Sequence, residues 1–236
     1  MPGDARQDGA VTAFPDRQID AAIFDLGGVI MHNGRHTDLA RRFPPEQAEA
    51  AMRIFVGDYG ADGDHPWHRL ERGEITLAEC QALNTAAFAA AGIAEPPRPT
   101  PSTNNGGTEG AKPRTINFEP DAAMVALVVR LRDAGLRTGV LTNNVREFRD
   151  FWWDVLPFGE LFDDVVDSHE VGLRKPNPAI YELALNRLGA TARRTVFLDD
   201  VASNVDAAIA VGLYGVLVDE DSTAAIAEVD RLAGTA

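Results

Sequence analysis

The chain has 236 residues, 45% hydrophobic and 25% charged, and carries a formal net charge of −14 from 22 Lys+Arg against 36 Asp+Glu. That composition is ordinary for one or two folded domains, and its acidic field repels phosphate backbones, so no nucleic-acid partner is expected. The single cysteine, Cys80, excludes an intramolecular disulfide and a thiolate zinc cluster, and no run of about 18 apolar residues exists to span a membrane, so a cytoplasmic protein is expected.

Residues 1–18 are polar and contain Gly and Pro. They lack the basic start and apolar run of a signal peptide and read as a mobile tail. "DAAIFDL" is an apolar run of buried-strand length that delivers one acid, Asp25, before Gly27 and Gly28. From about residue 35 the pattern becomes helical. "PEQAEAAMRIFVGDYG" and "HPWHRLERGEI" show helical spacing, the latter punctuated by Gly73. "TLAECQALNTAAFAAAG" opens on a capping box, Thr76 with Glu79, and stops at Gly92. Residues 94–116, rich in Pro, Gly, Thr and Asn, read as a flexible linker.

The remainder alternates. "PDAAMVALVVRLRDAG" is a helix capped by Asp121 and stopped at Gly135; "RTGVLTN" is a strand; "REFRDFWWDVL" is helical; "FDDVVDS" is a strand. "NPAIYELALNRLG" is a helix capped by Asn177, with Pro178 in its first turn and Gly189 at its end. "RTVFLDD", "ASNVDAAIAVG" and "YGVLVDE" follow as strand, helix and strand. The alternation predicts an α/β fold: a doubly wound parallel sheet with a helical cap inserted after strand 1. The core then comprises residues 19–34 and 117–236, and the cap residues 35–93.

Ligands of open parallel sheets bind at the carboxyl ends of the strands. Those ends carry Asp25, Thr142 with Asn143 and Asn144, and Asp199 with Asp200, while "RKPNP" brings Lys175 to the start of a helix. Each has a plain structural reading: a helix cap for Asp25 or Asp200, a turn for Thr142, a surface position for Lys175. Together they fit phosphoryl transfer through a carboxylate. Asp25 attacks phosphorus and forms an aspartyl-phosphate. Asp200, with Asp199, holds Mg²⁺ beside Asp25. The Gly27–Gly28 amides, the Thr142 hydroxyl and the Asn143 amide cradle phosphoryl oxygens, and Lys175 balances charge in the transition state.

Four ordered motifs, "FDLGGV", "LTNN", "RKPNPAIY" and "VFLDDVASNVDAA", resemble those of the haloacid dehalogenase superfamily, mostly Mg²⁺-dependent phosphatases. "PWHRLERGEITLAEC" and "VGLRKPNPAIYELAL" are similar to the amino-terminal phosphatase domain of soluble epoxide hydrolases and to related domains fused to acyl-CoA dehydrogenase-like proteins. The resemblance implies a Rossmann-like core under a closing helical cap. It makes Asp25 the nucleophile and places phosphate on Thr142 and Asn143. It assigns charge stabilisation to Lys175 and Mg²⁺ to Asp200 and the Gly27 carbonyl. The substrate it implies is a small phosphorylated metabolite; oligomeric state is not indicated.

One position departs from that pattern. Gly27 stands where such phosphatases carry a second Asp as general acid and base, a loss that costs about 10²- to 10⁴-fold. His32 and His36 are candidate substitutes, each with a surface reading. In the cap, Arg72 is a candidate grip on the substrate, and Trp67 and Arg69 could also reach the site. Of Trp152 and Trp153, at least one packs. The alternatives are a metal-independent 2-haloacid dehalogenase, against which the paired acids of "FLDD" argue, and a phosphate-ligand binding or regulatory protein of low activity, which Gly27 motivates.

Overall fold

The computed structural model describes residues 18–32, 40–95 and 119–235. His36, nearly all of the expected tail and most of the expected linker lie outside these. Gln18, the last expected tail residue, donates its backbone N–H to the Leu232 carbonyl at 2.8 Å.

Five parallel strands form one sheet: β1 (Ala21–Phe24), β2 (Arg137–Thr142), β3 (Asp164–Asp167), β4 (Thr195–Asp199) and β5 (Tyr214–Leu217), in the order β3-β2-β1-β4-β5. Phe24 of β1 lies beside Val140 and Leu198, which brings the carboxyl ends of the three central strands level. Among the described residues the α-helices are α1 (Pro45–Phe55), α2 (Pro66–Glu71), α3 (Leu77–Ala91), α4 (Ala122–Asp133), α5 (Arg149–Trp153), α6 (Phe158–Leu161), α7 (Ser168–Val171), α8 (Pro178–Leu188), α9 (Ala202–Val211) and α10 (Thr223–Ala233).

Strand side chains alternate between faces, so a strand buried on both reads as a continuous apolar run. Phe24, Val140 and Leu198 meet Met124, Leu127 and Leu131 of α4 and Val229 and Leu232 of α10 on one face. Ile23, Leu141 and Phe197 meet Ile180, Tyr181 and Leu185 of α8 and Ala208 of α9 on the other. The fold is therefore the expected α/β arrangement with helices on both faces.

Several elements differ from the sequence reading. The first helix stops at Phe55, whose carbonyl accepts from Asn84 Nδ2 at 3.0 Å, and residues 56–65 run on as irregular chain. "REFRDFWWDVL" becomes a 3₁₀ turn and the short α5, anchored by fully buried Trp152. α10 had no counterpart in the sequence reading, though Ala225, Val229 and Leu232 form its buried stripe.

Between β1 and α4 stands a helical block built from α1, α2 and α3. Phe43, Ala51 and Phe88 fill its centre. Leu70 and Cys80 of the block meet Val145, which follows β2, and so seat it on the sheet's carboxyl edge. Gly73 makes that seat possible. Its φ of +69° is left-handed, and a Cβ there would lie 2.5 Å from the His169 carbonyl oxygen.

Candidate active site

Asp25 follows β1 directly and continues its ladder, its N–H donating to the Leu198 carbonyl at 2.8 Å. Through residue 32 no helix starts after it. The chain turns back instead, with Met31 N–H on Leu26 O at 2.8 Å and Gly28 N–H on Met31 O at 2.7 Å, and Gly28 takes φ +76°. The capping reading of Asp25 therefore fails.

Lys175 is the hub. Its Nζ lies 2.8 Å from Asp25 Oδ1, 2.6 Å from Asp199 Oδ2 and 3.0 Å from the Leu141 carbonyl. An ammonium has three donors, and here each has an acceptor. Burial opposes the Lys175 charge, but Asp199 and Asp25 raise its pKa above the ordinary lysine value, so it stays protonated. The surface reading of Lys175 fails, since the residue is 1% exposed.

Asp199 is held from several sides. Its oxygens accept from Val201 N–H at 2.8 Å and from Asn204 Nδ2 at 3.1 Å as well as from Lys175. Asp200 does not cap α9, whose N-cap is Val201 with no side-chain bond. Burial pushes the Asp25 carboxyl up to about 7 against the pull of Lys175, with Asp199 and Asp200 adding repulsion.

Carboxylate oxygens of Asp25, Asp199 and Asp200 lie within 4.8 Å of one another. Three carboxylates beside one ammonium leave surplus negative charge, and hard oxygen donors suit Mg²⁺. The residues thus fit a divalent cation. The Asp199 oxygens already accept from three protein donors.

Thr142 ends β2, buried next to Asn143. The remaining sequence candidates sit differently from expectation. Asn143 clamps the Lys175 backbone, accepting its N–H at 2.8 Å and donating to its carbonyl at 3.0 Å, so its side chain positions Lys175. The Gly28 amide is taken by the turn. Arg72 grips its own helical block, donating to Asp62, to Glu74 at 2.7 Å and to the Gly63 carbonyl at 3.0 Å. Arg69 pairs with Glu74 at 3.4 Å, and His32 is exposed beside Asp121.

Sequence reasoning missed the seam between block and sheet edge. Arg174, fully buried, donates through Nε to Glu71 Oε2 at 2.8 Å and through Nη1 to the Ala61 carbonyl, and stacks 5.2 Å from the Tyr59 ring. Glu71 also accepts from Trp67 Nε1 at 2.8 Å and from the Tyr59 hydroxyl at 3.3 Å. Asp62 accepts from Asn177 Nδ2 at 2.9 Å. Asn204 was overlooked as well, though its place five residues after Asp199, in the first turn of α9, is a readable signal.

Residues 19–212 match the haloacid dehalogenase-like hydrolase family. The chain is 31% identical over 222 residues to mouse acyl-CoA dehydrogenase family member 10, covering 92% of this chain but 19% of that protein. It is 29% identical to a sesquiterpene phosphatase of Aspergillus oryzae, covering 91% of this chain and 96% of that one. In fold it is similar to a family enzyme of Bacteroides thetaiotaomicron crystallised with magnesium and inorganic phosphate, at TM-score 0.57 and 17% identity over 88% of this chain and 98% of that one. The chain belongs to the haloacid dehalogenase-like hydrolase family, and it is a hydrolase.

Proposed function

We propose that the protein is a Mg²⁺-dependent phosphomonoesterase of small phosphorylated metabolites that works through an aspartyl-phosphate on Asp25. The observation that carries this reading is the Asp25–Lys175–Asp199 cluster with Asp200 beside it. The phosphatase relative covered almost end to end supports it.

Asp25 is the nucleophile, short and fixed by the ladder to β4, so its free oxygen meets phosphorus in line with little motion. Attack forms the Asp25–phosphorus bond and breaks the bond to the leaving oxygen. Water then cleaves the acyl phosphate and restores Asp25. Lys175 keeps its charge beside the transferring group, held there by Asn143 and Asp199. Thr142 and the Gly27 backbone amide contact the phosphoryl oxygens. Asp25, Asp200 and the Gly27 carbonyl would hold Mg²⁺, which would supply charge neutralisation between an anionic nucleophile and an anionic substrate. Asp199 positions Lys175 and is bound in turn by Asn204. The helical block acts as a cap over the site. Gly27 provides no proton, so substrates with good leaving groups, such as anomeric or acyl phosphates, are turned over best.

Turnover of p-nitrophenyl phosphate tests the reading. Hydrolysis is expected with Mg²⁺, lost on chelation, and lost in Asp25→Asn. Metal-independent turnover or an unaffected mutant overturns it. Halide release from 2-chloropropionate without metal would support the dehalogenase reading instead.

A further inference from the structure

Two donors in the seam have no acceptor among the described residues: Arg174 Nη2 and His68 Nε2. Both side chains are buried, Arg174 at 0% and His68 at 2% exposure. His68 Nδ1 accepts from Gly63 N–H at 3.0 Å, so the ring proton sits on Nε2, which is a donor. His68 and Glu71 are three apart on α2 and share a face, and Glu71 holds Arg174. The two donors therefore look onto the same seam, and both border residues 61–63: Arg174 through the Ala61 carbonyl, His68 through Gly63. Arg174 directly precedes Lys175, the partner of Asp25. Leaving a buried donor without an acceptor is costly, so two at one place call for a ligand that answers them.

We propose that Arg174 Nη2 and His68 Nε2 are specificity determinants that bind an uncharged oxygen, a hydroxyl or carbonyl, on the non-phosphoryl part of the substrate. This rests on the phosphatase reading for its substrate class. Charge selects the neutral acceptor. Arg174 is already balanced by Glu71, so no net positive charge is left there for a second anion on the substrate. The rings of Trp67 and Phe55, 5.7 Å apart, and the Tyr59 ring against Arg174 make the surroundings of the two donors partly apolar.

The test measures equilibrium binding and turnover of paired n-alkyl phosphates and their ω-hydroxyl counterparts, from three to six carbons, with Mg²⁺ present. At one chain length the hydroxyl compound is expected to bind about tenfold more tightly, the effect of one satisfied hydrogen bond of about 1.4 kcal/mol. Arg174→Lys keeps a cation for Glu71 but removes Nη2; His68→Asn keeps an acceptor for Gly63 but removes the Nε2 donor. Each is expected to shrink the tenfold preference toward unity through KM. No preference at any length in the wild type, or a preference unchanged in both variants, overturns the proposal. If the preference appears in binding while no phosphate is hydrolysed, the phosphatase reading falls and the assignment of the donors stands.

Discussion

Lys175 is the residue on which the site turns, and its surroundings separate what the letters reveal from what they hide. Asp25, Asp199, Asp200 and Thr142 were legible because each stands at the carboxyl end of an apolar run, where a strand leaves it no other place. The partners of Arg72 were hidden because one residue on a helix is about 100° of rotation, which only packing can set. Glu71 turns to Arg174 and Arg72 turns away. Asn204→Ala removes the donor shared by both Asp199 oxygens and should cost about 10-fold in activity by loosening the hold of Asp199 on Lys175, the effect of one lost hydrogen bond. His68 makes a prediction about pH. Burial, helped by Arg174, lowers its pKa from 6.5 to about 4. The folded state thus refuses a proton that the unfolded chain accepts. His68 costs no stability above about pH 6.5, and stability is lost as pH falls from there toward 4. Urea midpoints across this window should fall more steeply for the wild type than for His68→Asn; parallel slopes would refute the assignment.

Among elements, capped helices were the most readable. Thr76 and Glu79 form the reciprocal capping box, and Asp121 and Asn177 cap α4 and α8 as their positions suggest. Local chemistry decides such ends. α1 likewise ends at a local stop, Gly57 at φ +74° just past the Val56 cap, while Asn84, 29 residues away, bonds the Phe55 carbonyl. The short α5 reflects a run of aromatics with modest helix propensity whose place is set by burying Trp152. The seam of α2 with the chain before α8 depends on Glu71 and Arg174, 103 residues apart, and no window of sequence displays it. Glu71→Ala leaves Arg174 buried without its carboxylate and should destabilise the protein by about 3–5 kcal/mol. Glu71→Leu combined with Arg174→Met should recover most of that loss in denaturant unfolding. Equal destabilisation of single and double variants would show that the pair is not the cause.

For the molecule as a whole, alternation of strand and helix identified a parallel sheet covered on both faces, and four motifs identified the family. The order β3-β2-β1-β4-β5, with β1 central, arises from long-range pairing and places Asp25 between the ends of β2 and β4. A cation bound only by this folded arrangement stabilises it by mass action. Millimolar Mg²⁺ should therefore raise the unfolding temperature of the wild type and leave that of Asp200→Asn nearly unchanged. The most direct test of the account is mass analysis of the Asp25-bearing peptide after acid quenching during turnover of p-nitrophenyl phosphate with Mg²⁺. The account predicts one phosphoryl group on Asp25, absent in Asp25→Asn. Turnover with no phosphoryl adduct on that peptide, or an adduct on another residue, would contradict it.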